Sequence, residues 1–218
     1  MIDLVSLDEV GFSMTLPVSY SWYPIRERLC IPFEASEGRR VNAIGAYFFA
    51  GPLEGRFEFQ SWASLPPHAR KAKRKTPEQV AHDYGLTLAE VGPIDSERLL
   101  TFLWRIADRP ADAAVDWKRE RPLMIVLDNY SVHKSQSVQE MQSVLEAADI
   151  YLVYLPSYSP ELSKIEPVWN DVKQHYLTTR SYEQVDALKK ATDEALKRKA
   201  ESLQQMHSKT TNDQRMAA

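Results

Sequence analysis

Three carboxylates stand where metal-dependent chemistry could use them. Asp8 closes the apolar stretch Leu4-Val5-Ser6-Leu7, with Glu9 directly after it. Asp128 closes a second apolar run, Leu123 to Leu127, and is followed by Asn129. Glu166 lies just past a Pro/Ser-rich loop, Pro156 to Pro160, where a helix is expected to begin. Acids at the ends of separate elements hold divalent metal through oxygen ligands. Two such ions, roughly 3.5–4 Å apart, drive in-line attack on a phosphodiester. Each acid also has a plainer reading. Asp-Asn is a common turn at a strand end. Ser163-Lys164-Ile165-Glu166 has the form of a capping box. Asp3 or Glu9 could take the place of Asp8.

The elements that must position these acids are legible in outline. Ile2–Leu7, Leu29–Phe33, Val41–Phe49 and Arg56–Trp62 read as strands. In the last, Phe57 and Phe59 alternate with Glu58 and Gln60. Short turns between them, as at Gly51-Pro52, predict an antiparallel meander. Residues 64–93 break that rhythm and read as a surface insertion. Within them Thr76 caps a short helix that has Pro77 at its first position. A helix over 96–107 buries Leu99, Leu100, Leu103, Ile106 and Ala107. Leu123–Leu127 and Ile150–Leu155 are continuous apolar runs, as in parallel strands covered on both faces. Between them Val138, Met141, Leu145 and Ala148 recur at helical spacing, and Ser137 with Glu140 predicts a capping box. After Glu166 the buried stripe is expected to be Leu162, Ile165, Trp169, Val172 and Tyr176. Tyr182–Met206 reads as one amphipathic helix, and 207–218 as a polar, disordered tail.

These motifs together resemble the catalytic domain of the DDE transposases, within the mariner-like superfamily that includes bacterial insertion-sequence enzymes. The resemblance rests on Asp8-Glu9, on Asp128-Asn129 with His133, and on Leu155-Pro156-Ser157-Tyr158-Ser159-Pro160 followed by Ile165-Glu166 and Trp169. It covers roughly residues 2–180. The 37 residues between Asp128 and Glu166 are within the superfamily's range. One departure is Ser163-Lys164, where the family has Asn-Pro; Ser can still cap a helix. The resemblance implies an RNase H-like α/β fold, with a mixed sheet of antiparallel meander plus parallel βαβ flanked by helices. It divides the chain into a catalytic domain over 1–180 and the 181–206 helix. It also implies that Asp8, Asp128 and Glu166 are the catalytic residues and hold two Mg²⁺ or Mn²⁺ ions. His133 would touch DNA or a carboxylate lying behind the metal ligands, against the plainer reading of a solvated loop histidine. Lys164 would contact a phosphate or weaken metal binding.

Composition narrows the field. The chain has 218 residues, enough for one domain with a substantial core. No apolar run approaches the roughly 18 residues of a membrane helix, and no signal pattern opens the chain. The single cysteine, Cys30, excludes an internal disulfide and a multi-cysteine zinc cluster. A cytoplasmic, nucleoid-associated location is expected. Only seven residues precede Asp8, so the helix-turn-helix module that relatives carry there is expected elsewhere. A truncated form, one product of a split frame, or a remnant would fit.

The expected function is DNA strand cleavage and strand transfer, with transposon ends and target DNA as partners, in a chain that could form a homodimer. The alternatives are a related nuclease without strand transfer and a domesticated, non-catalytic DNA-binding remnant. A net charge of −3 is unusual for a DNA-binding protein, but local distribution matters more than the sum. Arg70, Lys71, Lys73, Arg74 and Lys75 concentrate five cations in six positions. Non-specific DNA binding is expected at roughly 10⁻⁴–10⁻⁶ M at physiological salt. Neutralising these five residues should flatten the plot of log affinity against log salt. An unchanged slope would make the run a solvated loop.

Overall fold

Alternating side chains build the sheet on which everything else is placed. The computed structural model describes residues 1–15, 24, 40–66, 75–156, 159–177 and 181–216. Strands β1 (Asp3–Ser13), β2 (Arg40–Ala50), β3 (Phe57–Ala63), β4 (Leu123–Leu127) and β5 (Ile150–Tyr154) form one sheet in the order β3-β2-β1-β4-β5. The first three pair antiparallel; β4 and β5 join β1 in parallel. This is the mixed sheet of an RNase H-like fold. The strand proposed over 29–33 lies outside the described residues.

Because side chains alternate across a strand, the sheet buries two separate cores. Val5 and Leu7 of β1 and Ile44, Ala46 and Phe48 of β2 face helices α2 (Ser96–Ile106) and α3 (Gln136–Ala147). Val10, Phe12, Val41, Ala43 and Phe57 face the other side. There they meet helix α4 (Glu166–Asp171), the wider π-type turn that continues it over Val172–Tyr176, and the long helix α5 (Val185–Met216).

Several sequence expectations change. β1 does not end at Leu7. Glu9 to Ser13 continue the alternation, and β2 pairs with β1 along nearly its whole length, so Asp8 sits in mid-strand. β5 is an edge strand whose Tyr151 and Val153 are exposed, not a strand covered on both faces. Helix α3 begins at Gln136 behind Ser135, and no side-chain cap forms. The expected box at Ser137 and Glu140 therefore lies inside the helix. Helix α1 (Pro77–Tyr84) has the predicted Thr76 cap and Pro77 start. However, its Val80 and Ala81, with Val91 beyond it, are buried in the second core. The described part of 64–93 is thus packed rather than merely laid on the surface. Helix α5 runs to Met216, through most of the expected tail. No helix among the described residues is long and apolar enough to cross a membrane.

One contact fixes α4 on the sheet. Trp169 is 2% exposed and lies over Gly45 of β2, the residue paired with Asp8. A Cβ built on Gly45 would stand 2.4 Å from the indole ring and 3.0 Å from Phe57. Phe57 meets that indole edge-on, with centroids 5.6 Å apart. The contact demands the absence of a side chain at Gly45. Gly45→Ala should therefore cost about 1–3 kcal/mol through overpacking. In a domain of this size that lowers the melting temperature by roughly 3–10 °C. Thermal denaturation followed by Trp fluorescence measures it, and an unshifted midpoint would mean that α4 yields freely.

Candidate active site

Parallel pairing brings the first two acids together. The last register pair between β1 and β4 is Ser6 with Val126. Two residues further along each chain are Asp8 and Asp128. Asp128 directly follows the end of β4, so the parallel register brings it alongside Asp8 of the neighbouring strand. Glu166 comes from the other side of the chain topology. It is the first residue of α4, one turn before Trp169, so the indole seated over Gly45 carries it toward Asp8. Ile165 occupies the cap position without a side-chain bond, and Pro167 follows at the second helical position. Ser163 is therefore not the cap that its spacing suggested. Leu162 belongs to a short turn and is 47% exposed, so it drops out of the predicted stripe; Ile165, Trp169 and Val172 remain in it.

Asp8, Asp128 and Glu166 line one cavity of about 390 Å³, together with Asn129, Tyr130, Leu155, Pro156 and Ser163. Local hydrogen bonds set Asp128. Its Oδ1 accepts from the Tyr130 backbone N–H at 2.9 Å. The Asn129 side-chain amide donates to the Leu155 carbonyl at 2.5 Å. The Leu155 N–H donates to the Leu127 carbonyl at 2.9 Å. The Asp-Asn pair thus stitches the end of β4 to the loop after β5. Among the described residues, Asp128 Oδ2 and the Glu166 carboxylate have no hydrogen-bond partner.

His133 completes the arrangement in a way that the sequence only half suggested. It is fully buried. Its Nε2 lies 3.0 Å from Glu9 Oε2, and its Nδ1 lies 2.9 Å from Asp128 Oδ1. Both ring nitrogens face carboxylates, an arrangement that suits the doubly protonated ring. Burial opposes that charge, but Glu9 and Asp128 outweigh it and hold the imidazole above its ordinary range. With no exposed surface, His133 is a bridge between two acids. Glu9 is committed to that bridge. Asp3 is fully buried at the other end of β1, paired with Arg119 at 3.2 Å and Arg121 at 3.6 Å. Neither lines the cavity that holds Asp8, Asp128 and Glu166. Lys164 is exposed and does not line the cavity. Lys75 pairs with Asp83 at 2.7 Å. Arg70, Lys71, Lys73 and Arg74 lie outside the described residues.

The donor set suits a hard divalent cation. Asp8 has its carboxyl pushed up to about 7, chiefly by burial; the Glu9 backbone N–H opposes this, and Glu9, Asp128 and Glu166 add repulsion. A cation in the cavity would relieve that charge. Among the described residues, no three His, Cys, Asp or Glu side chains are already gathered at metal-ligand spacing.

The fold is that of an RNase H-like domain, with three carboxylates lining one cavity at the sheet edge. Residues 83–189, just under half of the chain and including Asp128 and Glu166, match the family model "DDE superfamily endonuclease". Among solved structures, the chain is similar to the Mos1 transposase paired-end complex with left transposon end (15% identity, TM-score 0.53). It is also similar to the Mos1 strand transfer complex (16%, 0.52) and to the Mos1 mariner paired-end complex with Mn (14%, 0.52). Each match covers 92% of this chain and 52% of the other, so the chain spans about half the length of these relatives. At such identities the likeness is one of fold. No curated protein sequence matches significantly.

The pH dependence follows from two groups. Asp8 is raised on folding, so its burial costs nothing below about pH 4 and progressively more up to about pH 7. The total is at most about 4 kcal/mol. His133 is also raised, so its stabilisation is complete below about pH 6.5 and is lost as pH climbs through its folded value. Both make the metal-free protein less stable at pH 8 than at pH 5.5. Asp8→Asn should remove much of that slope and raise the melting temperature at pH 8. Denaturation series in chelator test this, and an unaltered slope would show that Asp8 is ionised freely in the fold.

Proposed function

We propose that this chain is the catalytic domain of a DNA transposase, which cleaves DNA strands and transfers the freed end to target DNA with divalent metal. The observation that carries this reading is the convergence of Asp8, Asp128 and Glu166, from three separate elements, on one cavity. Asp8, Asp128 and Glu166 would hold two Mg²⁺ or Mn²⁺ ions. Metal held there would supply activation of a water or a 3′-hydroxyl and stabilisation of the leaving 3′-oxygen.

The protein's own part is positioning. His133 and the Tyr130 N–H hold one oxygen of Asp128, leaving the other toward the cavity. Asn129 fixes the loop that forms the cavity's rim. Trp169 sets the reach of Glu166, and Lys199 braces the far end of α4 through Asp171 at 2.6 Å. The partners are transposon-end and target DNA. The Mos1 relatives are paired-end complexes, and a chain acting on two transposon ends would do so as two copies.

A nuclease without strand transfer is the second reading, since the same triad supports hydrolysis. Substrates with pre-cleaved 3′ ends separate the two: joined products require strand transfer, and hydrolysis alone favours the nuclease. Asp128→Asn and Glu166→Gln should each abolish Mn²⁺-dependent nicking while the fold persists. Metal should also stabilise the wild type by about 1.4 kcal/mol at ten times Kd, a shift that Asp128→Asn blunts at matched ionic strength. Full activity and an intact metal shift in folded Asp128→Asn would remove Asp128 from the site.

A further inference from the structure

A second cavity, of about 260 Å³, shares Asp8 and Asp128 with the first but opens over a different part of β1 and β2. Its other walls include Gly11, Arg40, Asn42 and Tyr130. The catalytic reading uses none of Gly11, Arg40 and Asn42, and of Tyr130 only the backbone N–H. Their chemistry is nonetheless specific. Asn42 is 2% exposed, and its Oδ1 is buried with no hydrogen-bond partner. Leaving such an acceptor unsatisfied costs free energy that a ligand's N–H would recover. Arg40 is exposed and has no ion pair among the described residues. Tyr130 is 44% exposed and offers a ring face at the rim. Gly11 forms the floor between them. A Cβ placed there would stand 3.7 Å from Arg40 Cδ, 3.8 Å from Asn42 Oδ1 and 4.0 Å from Arg40 Nη1.

We infer that this cavity is a nucleotide subsite, holding the DNA residue next to the bond at the acidic triad. The guanidinium of Arg40 takes a phosphate oxygen, Asn42 Oδ1 accepts from a base N–H, and Tyr130 packs on the base. The shared walls, Asp8 and Asp128, put the subsite next to the acids, around the edge of β1. Gly11 is bare because a larger side chain would fill the space the base occupies. This inference rests on the proposed function.

The test is fluorescence anisotropy on single-stranded oligonucleotides, base-bearing and abasic, of equal length, in chelator. The wild type should prefer the base-bearing strand about five- to tenfold, the scale of one stacked base. Gly11→Leu should bind both strands alike, because its side chain occupies the base position. Gly11→Ala, whose Cβ makes only ordinary contacts, guards against misfolding and should show an intermediate preference. Arg40→Gln, at an exposed position, should weaken both strands and reduce the salt slope by about one. If Gly11→Leu and Arg40→Gln bind like the wild type, the subsite is overturned while nicking by the wild type leaves the catalytic reading intact. Nicking that survives Asp128→Asn would instead sink the catalytic reading.

Discussion

The seat of Trp169 over Gly45 is the contact on which the site depends. Helix α4 has six residues before its hydrogen bonding widens, too few to be stable alone. Its position comes from packing. The indole fills a slot that exists because β2 has no side chain at Gly45, and Phe57 closes the slot from β3. Gly45 is paired with Asp8, and Glu166 stands one helical turn before Trp169. A single apolar contact therefore sets the separation of two acids that repel each other. Burial of the indole supplies what electrostatics opposes, by roughly 1.5–3 kcal/mol for a side chain of this kind. The Lys199–Asp171 pair adds a second tether at the other end of α4.

The pair formed by Asp8 and Asp128 has a different origin. It follows from the parallel register of β1 and β4, which is set from the far end of the strands. There Asp3 is buried against Arg119 and Arg121 and accepts from the Leu53 N–H at 3.3 Å. A slip of one residue would turn every side chain of β1 to the wrong face. It would also unpair a buried carboxylate, which costs several kcal/mol. The ion pairs at one end of β1 thereby protect the alignment of the acids at the other.

The order of elements, the Thr76 cap and the alternation of Phe57 and Phe59 were readable, because each is a local pattern, and the three acids were readable as candidates. What escaped was non-local. The length of β1 was underestimated because Asp8-Glu9 interrupts an apolar run, yet Val10 and Phe12 restore the alternation. Pairing with β2 carries the strand through the acids. His133 gave no sign of burial, since its partner Glu9 is 124 residues away. The only available hint was that Glu9 points opposite to Asp8 by strand alternation and must find a cation on that side. The exposure of Tyr151 and Val153 likewise depends on β5 being at the edge, which no apolar run reveals.

That edge explains why a cavity exists at all. On the face that carries Asp8, α4 and α5 cover β2 and β3. The Ser61 hydroxyl donates to Asp193 of α5, and Lys189 joins Asp193 at 2.8 Å and Glu90 at 3.1 Å. Over β5 the same face is left open. Strand β1 lies between the two halves, so its mid-strand carboxylate stands at a step between covered and uncovered sheet. Full cover would bury Asp8 beyond any ionisation, and none would leave it an ordinary exposed acid. The step gives it partial burial beside an open surface. That combination raises its affinity for charge-balancing partners.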